Sequence, residues 1–372
     1  MSRSIPLANL KPCLESCRRE WEPRLAAAID RSWFILGEEV AAFEGEFAAF
    51  CGSPMATGVG CGTAALEIAL RLSGITRRDQ EVITSALTAP FTAQAILAAG
   101  ATPVFADVDD QTLLLDPASV AARITPRTAA LLPVHLYGQA CELEELGRLA
   151  AGCGAAVIQD ACQAHGALYD GKPLAAFAPL VAYSFYPTKN LPCLGDGGAL
   201  LTGDADQDRL ARLLRNGGRA PGEPAHLAVV SAPNSRLDEI QAALLRVFLR
   251  QLPAWNQQRQ RLADLYDREL AGLPAEWLRP VVRNRRSSHV GHLYVVRIQR
   301  RDQLRERLAA RGIGTGVHYP VPLNRQPAFP NQSSCPVAER AALEICSLPL
   351  WPFLPEDDVR FVASEIWKFY LD

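Results

Sequence analysis

The sequence predicts an α/β protein in which a large part holds a mostly parallel sheet covered on both faces and a smaller α+β part follows at the carboxyl end. Two observations carry this. From about residue 56, short apolar runs rich in β-branched residues alternate with helical patterns, as a parallel sheet with crossover helices requires. Beyond a long helical region, residues 274–288 turn arginine-rich and loop-like before strand and helix signals resume. With 372 residues the chain can bury a large core, and a division into 1–250 and 251–372 is expected.

Residues 1–30 read as an extended arm and then a helix, whose Trp21, Leu25 and Ile29 recur every fourth position and give it one apolar face. Val40, Phe43, Phe47 and Phe50 mark a second amphipathic helix over 38–50. The connection between them, Trp33-Phe34-Ile35-Leu36-Gly37, is unusually apolar and reads as core in preference to a site lining or a subunit contact. Strands are expected at 81–84, 103–106, 130–134, 155–160, 181–185 and 199–202, and helices at 64–72, 91–99, 117–124 and 143–151. The helical region 236–270 contains Pro253, which predicts a break there. In the smaller part a strand is expected at 292–298, with helices at 301–311, 337–346 and 356–370 around a turn-rich 317–322, and the amino-terminal arm joins it.

Composition excludes several functions. Charged residues make up 21% and hydrophobic ones 49%, and the net charge is −2 with a pI near 6.3. Nothing in that balance attracts nucleic acid or an acidic membrane. No apolar run is long enough to span a bilayer and no signal-type core follows the amino terminus, so a cytoplasmic protein is expected. Ten cysteines without a C-x-x-C pair, and six histidines without H-x-x-x-H spacing, read as reduced thiols and give no metal site.

Lysine is scarce. Of 38 basic residues only Lys11, Lys172, Lys189 and Lys368 are lysines, so arginine supplies the ordinary surface charge. Lys189 alone follows an apolar, aromatic strand, in Tyr183-Ser184-Phe185-Tyr186-Pro187-Thr188-Lys189-Asn190-Leu191, and precedes the glycine cluster Gly195-Asp196-Gly197-Gly198. The one task arginine cannot take over is to lose a proton and attack a carbonyl as a neutral amine.

Four stretches become intelligible together if the ligand is an aromatic aldehyde bearing a phosphate. Gly58-Val59-Gly60-Cys61-Gly62-Thr63 lets backbone approach closely before a helix whose first amides bind an anion. Val157-Ile158-Gln159-Asp160 ends a strand in a carboxylate, which either pairs with a protonated ring nitrogen or caps a following helix. Ser184 and Lys189 share one strand-to-loop element. Pro233-Asn234-Ser235-Arg236-Leu237-Asp238 is a polar helix start.

With these residues in place, the chain resembles the pyridoxal-phosphate-dependent sugar aminotransferases of the DegT/StrS type. Matching segments run in order from Phe34-Ile35-Leu36-Gly37 to Ser347-Leu348-Pro349. They include Gly62-Thr63-Ala64-Ala65-Leu66, Pro133-Val134-His135-Leu136-Tyr137-Gly138, Asp160-Ala161-Cys162-Gln163-Ala164-His165-Gly166, the Ser184–Leu191 stretch, Asn234-Ser235-Arg236-Leu237-Asp238, His292-Leu293-Tyr294 and His318-Tyr319-Pro320. The resemblance implies the fold-type-I pyridoxal-phosphate-dependent transferase fold and a homodimer with shared active sites. It implies that Lys189 carries pyridoxal 5'-phosphate, that Asp160 pairs with the pyridine nitrogen and that Gln163 meets the ring hydroxyl. By the same carry-over Gly62, Thr63 and Ser184 bind the phosphate, Asn234 reaches it from the other subunit, and His318 and Tyr319 lie near the substrate.

Some positions depart from the family pattern. Cys61 stands where serine or asparagine is usual, and Ala89 where an aromatic commonly stacks on the cofactor, with Phe91 two residues on. Gly217 and Asn324 replace common histidines, which bears on substrate choice more than on chemistry. The expected reaction moves an amino group, from glutamate, to a keto group of a nucleotide-linked deoxysugar, and the Asn-Ser-Arg-Leu-Asp and His-Tyr-Pro-Val-Pro forms lean to C3. The alternatives are a keto-cyclitol acceptor and a non-catalytic ligand-binding regulator. Arg215, Arg219 and Arg236 are unranked candidates for the donor carboxylate or the diphosphate.

Overall fold

Three helices, α1 (Lys11–Ser16), α2 (Arg18–Asp30) and α3 (Glu38–Phe50), precede the first strand of the large sheet. The structure is a computed structural model and describes residues 3–220, 224, 227–329 and 333–371. Strand and helix then alternate: β1 (Met55–Val59), α4 (Gly62–Leu72), β2 (Glu81–Ser85), α5 (Pro90–Ala99), β3 (Thr102–Ala106), α6 (Pro117–Ala121), β4 (Thr128–Leu132), α7 (Leu143–Cys153) and β5 (Ala156–Asp160). A small hairpin of β6 (Leu168–Tyr169) and β7 (Lys172–Pro173) leads to β8 (Leu180–Ser184), β9 (Gly198–Thr202) and α8 (Ala205–Arg215).

The seven-stranded sheet has the order β1-β9-β8-β5-β4-β2-β3. Its pairs are parallel except at β9, which runs antiparallel to both β8 and β1. All six expected strands of this sheet form. β1 is an addition, a short run interrupted by Gly58 and hard to read as a strand alone. Local chemistry sets the helix ends. Pro90 opens α5 and Gly100, at φ 100°, closes it in the left-handed region that favours glycine. Asp204 caps the further helix α8 by accepting from the Gln207 amide at 2.8 Å, and Arg212 and Arg215 complement its dipole at the other end.

The apolar connection before α3 is not core. Trp33, Phe34 and Ile35 are 65%, 42% and 39% exposed, and the segment is held mainly through its backbone. The Glu239 amide donates to the Phe34 carbonyl at 3.0 Å. The buried Glu239 carboxylate in turn accepts the amides of Gly37 at 2.8 Å, Glu39 at 3.0 Å and Val40 at 2.9 Å, capping α3 from across the chain. The predicted apolar face of α2 is likewise incompletely covered, with Ile29 exposed.

Pro253 does not break its helix: α9 is continuous over Glu239–Glu269. One lost backbone bond is outweighed by burial of Leu252 and Trp255 on either side of it. The first half of α9 packs into the core below the large sheet, while Leu262, Leu265 and Tyr266 belong to the core of the carboxyl-terminal elements. Those elements are β10 (Leu278–Pro280), β11 (Tyr294–Ile298), α10 (Arg301–Ala310), α11 (Pro336–Glu344), β12 (Ile345–Leu348) and α12 (Glu356–Leu371), with the strands in an antiparallel sheet ordered β10-β11-β12. The helix expected over 337–346 therefore ends at Glu344, where Ile345 turns extended to pair with β11. The arm joins this part through Ile5, whose amide donates to the Gly312 carbonyl at 2.8 Å.

Among the described residues no helix is long and apolar enough to cross a membrane, and no cluster of metal-ligating side chains occurs. All ten cysteines are free thiols.

Candidate active site

Asp160 ends β5 and Ser184 ends β8, so both lie at the carboxyl edge of neighbouring parallel strands, where open α/β sheets bind ligands. Asp160 is 5% exposed. One carboxylate oxygen accepts the Thr92 hydroxyl at 2.8 Å and the other the Cys162 amide at 3.1 Å. No helix follows Asp160, so it caps none. A buried carboxylate held only by neutral donors is costly unless a cation completes it.

Lys189 is a nearby cation. Burial pushes its ammonium below the ordinary lysine value, against opposing pulls from Cys162 and Asp160. Its neutral, nucleophilic form is thereby favoured. The lysine loop is fixed by the next residue. Asn190 is buried and donates to Asn256 at 2.8 Å and to the Val290 carbonyl at 2.9 Å, while its oxygen meets His292 Nδ1 at 3.0 Å. Asn256 donates onward to the His165 carbonyl at 2.8 Å, tying the lysine loop to the turn that follows Asp160. His165 bonds the Ser184 carbonyl at 2.8 Å, and burial followed by the Lys189 charge lowers its pKa to about 3, so it stays neutral.

Gly62 opens α4 beside both strand ends. A Cβ there would stand 2.7 Å from Cys162 Sγ and 2.8 Å from Ser184 Cβ, so only glycine permits the approach. No side chain caps α4, which leaves the first-turn amides at Gly62 and Thr63 open to an anion. Gln163 reaches the other side of the site: it accepts the Tyr137 amide at 2.8 Å and donates to the Tyr319 hydroxyl at 3.0 Å. The Tyr137 hydroxyl donates to the His318 carbonyl, and His318 Nδ1 meets Ser347 Oγ at 2.8 Å. Burial, with the Lys189 charge, lowers the His318 pKa to about 4.

The structure thus brings Gly62, Asp160, Gln163, Ser184, Lys189, His318 and Tyr319 together at the carboxyl edge of the sheet. Asn234 stands apart: it is exposed and bridged through its backbone to Asn216, while its neighbour Ser235 accepts the Gly60 amide at 3.0 Å. Arg215 is no ligand candidate, being buried and spent on Glu44 and the Gly58 carbonyl. Phe91 is 57% exposed on the first turn of α5. Thr92 and Tyr137 hold site residues but do so across long sequence separations, where no local pattern marks them.

These features suit pyridoxal phosphate. A buried amine of lowered basicity can meet its aldehyde, a carboxylate lacking an ion pair can meet its ring nitrogen, and uncapped helix amides behind a glycine cradle can meet its phosphate.

Comparison with known proteins identifies the family. The family model described as the DegT/DnrJ/EryC1/StrS aminotransferase family matches residues 16–367. The chain is 44% identical over 366 residues to the dTDP-3-amino-3,4,6-trideoxy-alpha-D-glucose transaminase of Streptomyces venezuelae, covering 97% of this chain and 95% of that one. It is 39% identical to the UDP-N-acetyl-3-dehydro-alpha-D-glucosamine 3-aminotransferase of Acidithiobacillus ferrooxidans, covering 98% and 97%. The crystal structure of S. venezuelae DesV in complex with a ketimine intermediate superposes with a TM-score of 0.94 at 41% identity, covering 99% of each chain. Matched along nearly its whole length, and with the lysine, carboxylate and glycine turn at one edge of the sheet, this chain belongs to the DegT/DnrJ/EryC1/StrS aminotransferase family.

Proposed function

We propose that this pyridoxal-phosphate-dependent aminotransferase moves an amino group from glutamate to the C3 keto group of a nucleotide-linked deoxysugar. The observation that carries the reading is the half-buried Lys189, whose amine feels both desolvation and the charge of the buried Asp160 carboxylate. The two relatives named for C3-aminated nucleotide sugars support the acceptor class. When bound, the cofactor supplies an electron sink for negative charge on the substrate carbon.

The side chains divide the remaining work. Lys189 would hold the cofactor, and its Nζ, of lowered basicity, would take up and return the substrate proton, a service worth roughly 10²–10⁴-fold. Asp160 would keep the ring nitrogen protonated, and Thr92 keeps Asp160 oriented. The α4 amides at Gly62 and Thr63, with Ser184, would hold the phosphate, and Gln163 would meet the ring hydroxyl. His318 and Tyr319 face the substrate, His318 as a neutral imidazole. Residues 1–250 serve as the cofactor-binding part and 251–372 as the smaller part. The working form is a cytoplasmic homodimer in which Asn234 enters the partner's site. Supporting this, the exposed Trp33-Phe34-Ile35 strip is anchored to residues 238 and 239, close along the chain to Asn234.

The test is spectroscopic. Glutamate should bleach the visible band of the protein loaded with pyridoxal phosphate, and a nucleotide-linked 3-keto sugar should restore it. Restoration by keto-cyclitols and by no nucleotide sugar would reject the acceptor assigned here.

A further inference from the structure

We infer that Arg259, at a cavity where the amino-terminal arm meets the Lys189 loop, binds a small monovalent anion of the halide class. Among the described residues Arg215, Arg259 and Arg297 are the buried arginines. Arg215 pairs with Glu44, and Arg297 with Asp110 and Glu344. Arg259, on α9 and 7% exposed, pairs with no carboxylate among the described residues. Its Nη1 donates to the Leu350 carbonyl at 3.0 Å and the Gly291 carbonyl at 3.3 Å, while its Nε is buried without a partner. Burial lowers its pKa to about 10, so the guanidinium keeps its charge near neutrality. A buried cation of this kind is costly until a counter-charge completes it.

No neighbouring side chain supplies that charge. Burial pushes the Cys13 thiol up to about 11 against the pull of Arg259, so it stays protonated. Burial, then the charges of Lys189 and Arg259, hold His292 well below its ordinary value, which marks the region as electropositive. The cavity is lined by Asn9, Thr188, Lys189, Trp255, Arg259 and Trp351 among others. It shares Lys189 with the site described above, but Gly62, Asp160, Gln163, Ser184 and Tyr319 stand outside its lining. Its volume is about 20 Å³. One water needs about 10–15 Å³ measured in this way, so a single-atom anion fits. Sulfate, phosphate and a dicarboxylate are too large. Trp255 and Trp351 are buried, and such apolar walls favour a monovalent, weakly hydrated ion over a divalent one. The ion would tie the arm, the lysine loop, α9 and the Trp351 segment together.

The probes are chloride and bromide, added to the full chain loaded with pyridoxal phosphate. With sodium chloride exchanged for sodium gluconate at constant ionic strength, chloride should raise the unfolding temperature saturably, by about 2 °C or more once the site is filled. Arg259→Met should lose that dependence. Bromide takes the same place and scatters anomalously, so crystals grown in sodium bromide should show a peak in contact with the Arg259 guanidinium. That peak is read on the native protein and decides the matter even where the Arg259 variant does not fold. A native protein indifferent to chloride, a bromide map without a peak at Arg259, or a folded Arg259→Met that keeps its chloride dependence would each overturn the inference. So would competition between chloride and glutamate, read from bleaching of the visible band, that Arg259→Met abolishes, since the cavity would then serve the donor carboxylate.

Discussion

Thr92, in the first turn of α5, donates its hydroxyl to Asp160 Oδ2 at 2.8 Å across 68 residues of sequence. The bond fixes a carboxylate that has no ion pair of its own and sets the direction in which it presents its free lone pairs. Thr92→Val keeps the shape and removes the donor. The expected cost to the apoprotein is about 1–3 kcal/mol, that of leaving a buried acceptor short of a partner. Cofactor affinity should also fall, as Asp160 loses its aim. Thermal unfolding with and without pyridoxal phosphate separates the two effects, and an unchanged cofactor affinity would remove Thr92 from the orienting role.

Lys189 gives a pH-dependent signature. Burial lowers its pKa from the ordinary 10.5, so the folded apoprotein binds fewer protons than the unfolded chain between the lowered value and 10.5. Stability contributed by this group therefore rises with pH through that window, and at lower pH the cost of a buried ammonium is fully felt. Lys189→Met, similar in length and uncharged, should be more stable than native apoprotein near pH 7, with the gap closing toward about pH 10. Denaturant unfolding across that range checks it, and a gap independent of pH would contradict it. Lys189→Arg should lose transamination by at least about 10²-fold, because guanidinium does not deprotonate near neutrality.

Glu239 ties α3, α9 and the exposed Trp33-Phe34-Ile35 strip together through three backbone amides. Glu239→Ala leaves buried donors unsatisfied and should cost about 3 kcal/mol or more. Glu239→Gln keeps an acceptor without the charge and should cost less. Because the strip's backbone is held through this region, the alanine variant should also weaken subunit association, readable by sedimentation. Loss of stability with association unchanged would separate the strip from the interface.

The residues show what a sequence reveals and why it stops. Asp160 and Lys189 are legible because Asp160 ends an apolar strand and Lys189 sits in the loop that follows another, and strand ends at a sheet edge are where ligands bind. The exposed Trp33-Phe34-Ile35 strip reads as core because apolar character alone cannot tell one chain's interior from a covered surface. The Glu239 cap and the Thr92 bond depend on partners some 200 and 68 residues away, which only the assembled fold brings within reach. Pro253 shows the opposite failure: a strong local signal is overridden where tertiary burial holds the helix on both sides.

The shared-site proposal can be tested by mixing defects. Asn234 is exposed on its own chain, while Lys189 lies in that chain's crevice. Take Lys189→Ala as one variant and, as the other, Asn234→Asp, which sets a negative charge against the cofactor phosphate. Each homodimer should be inactive, or nearly so, since every site lacks one of the two groups. If the residues serve a site from different subunits, a mixed dimer collects both defects in one site and leaves the other native. Activity should then return toward half of the native value per dimer, and the visible band of that one site should bleach with glutamate. If both residues serve their own subunit's site, every site in the mixed dimer carries one defect and activity stays at the level of the parents. Differently tagged subunits allow the mixed dimer to be isolated and its composition verified by mass. An inactive dimer of verified composition would reject the shared site while leaving the role of Lys189 intact.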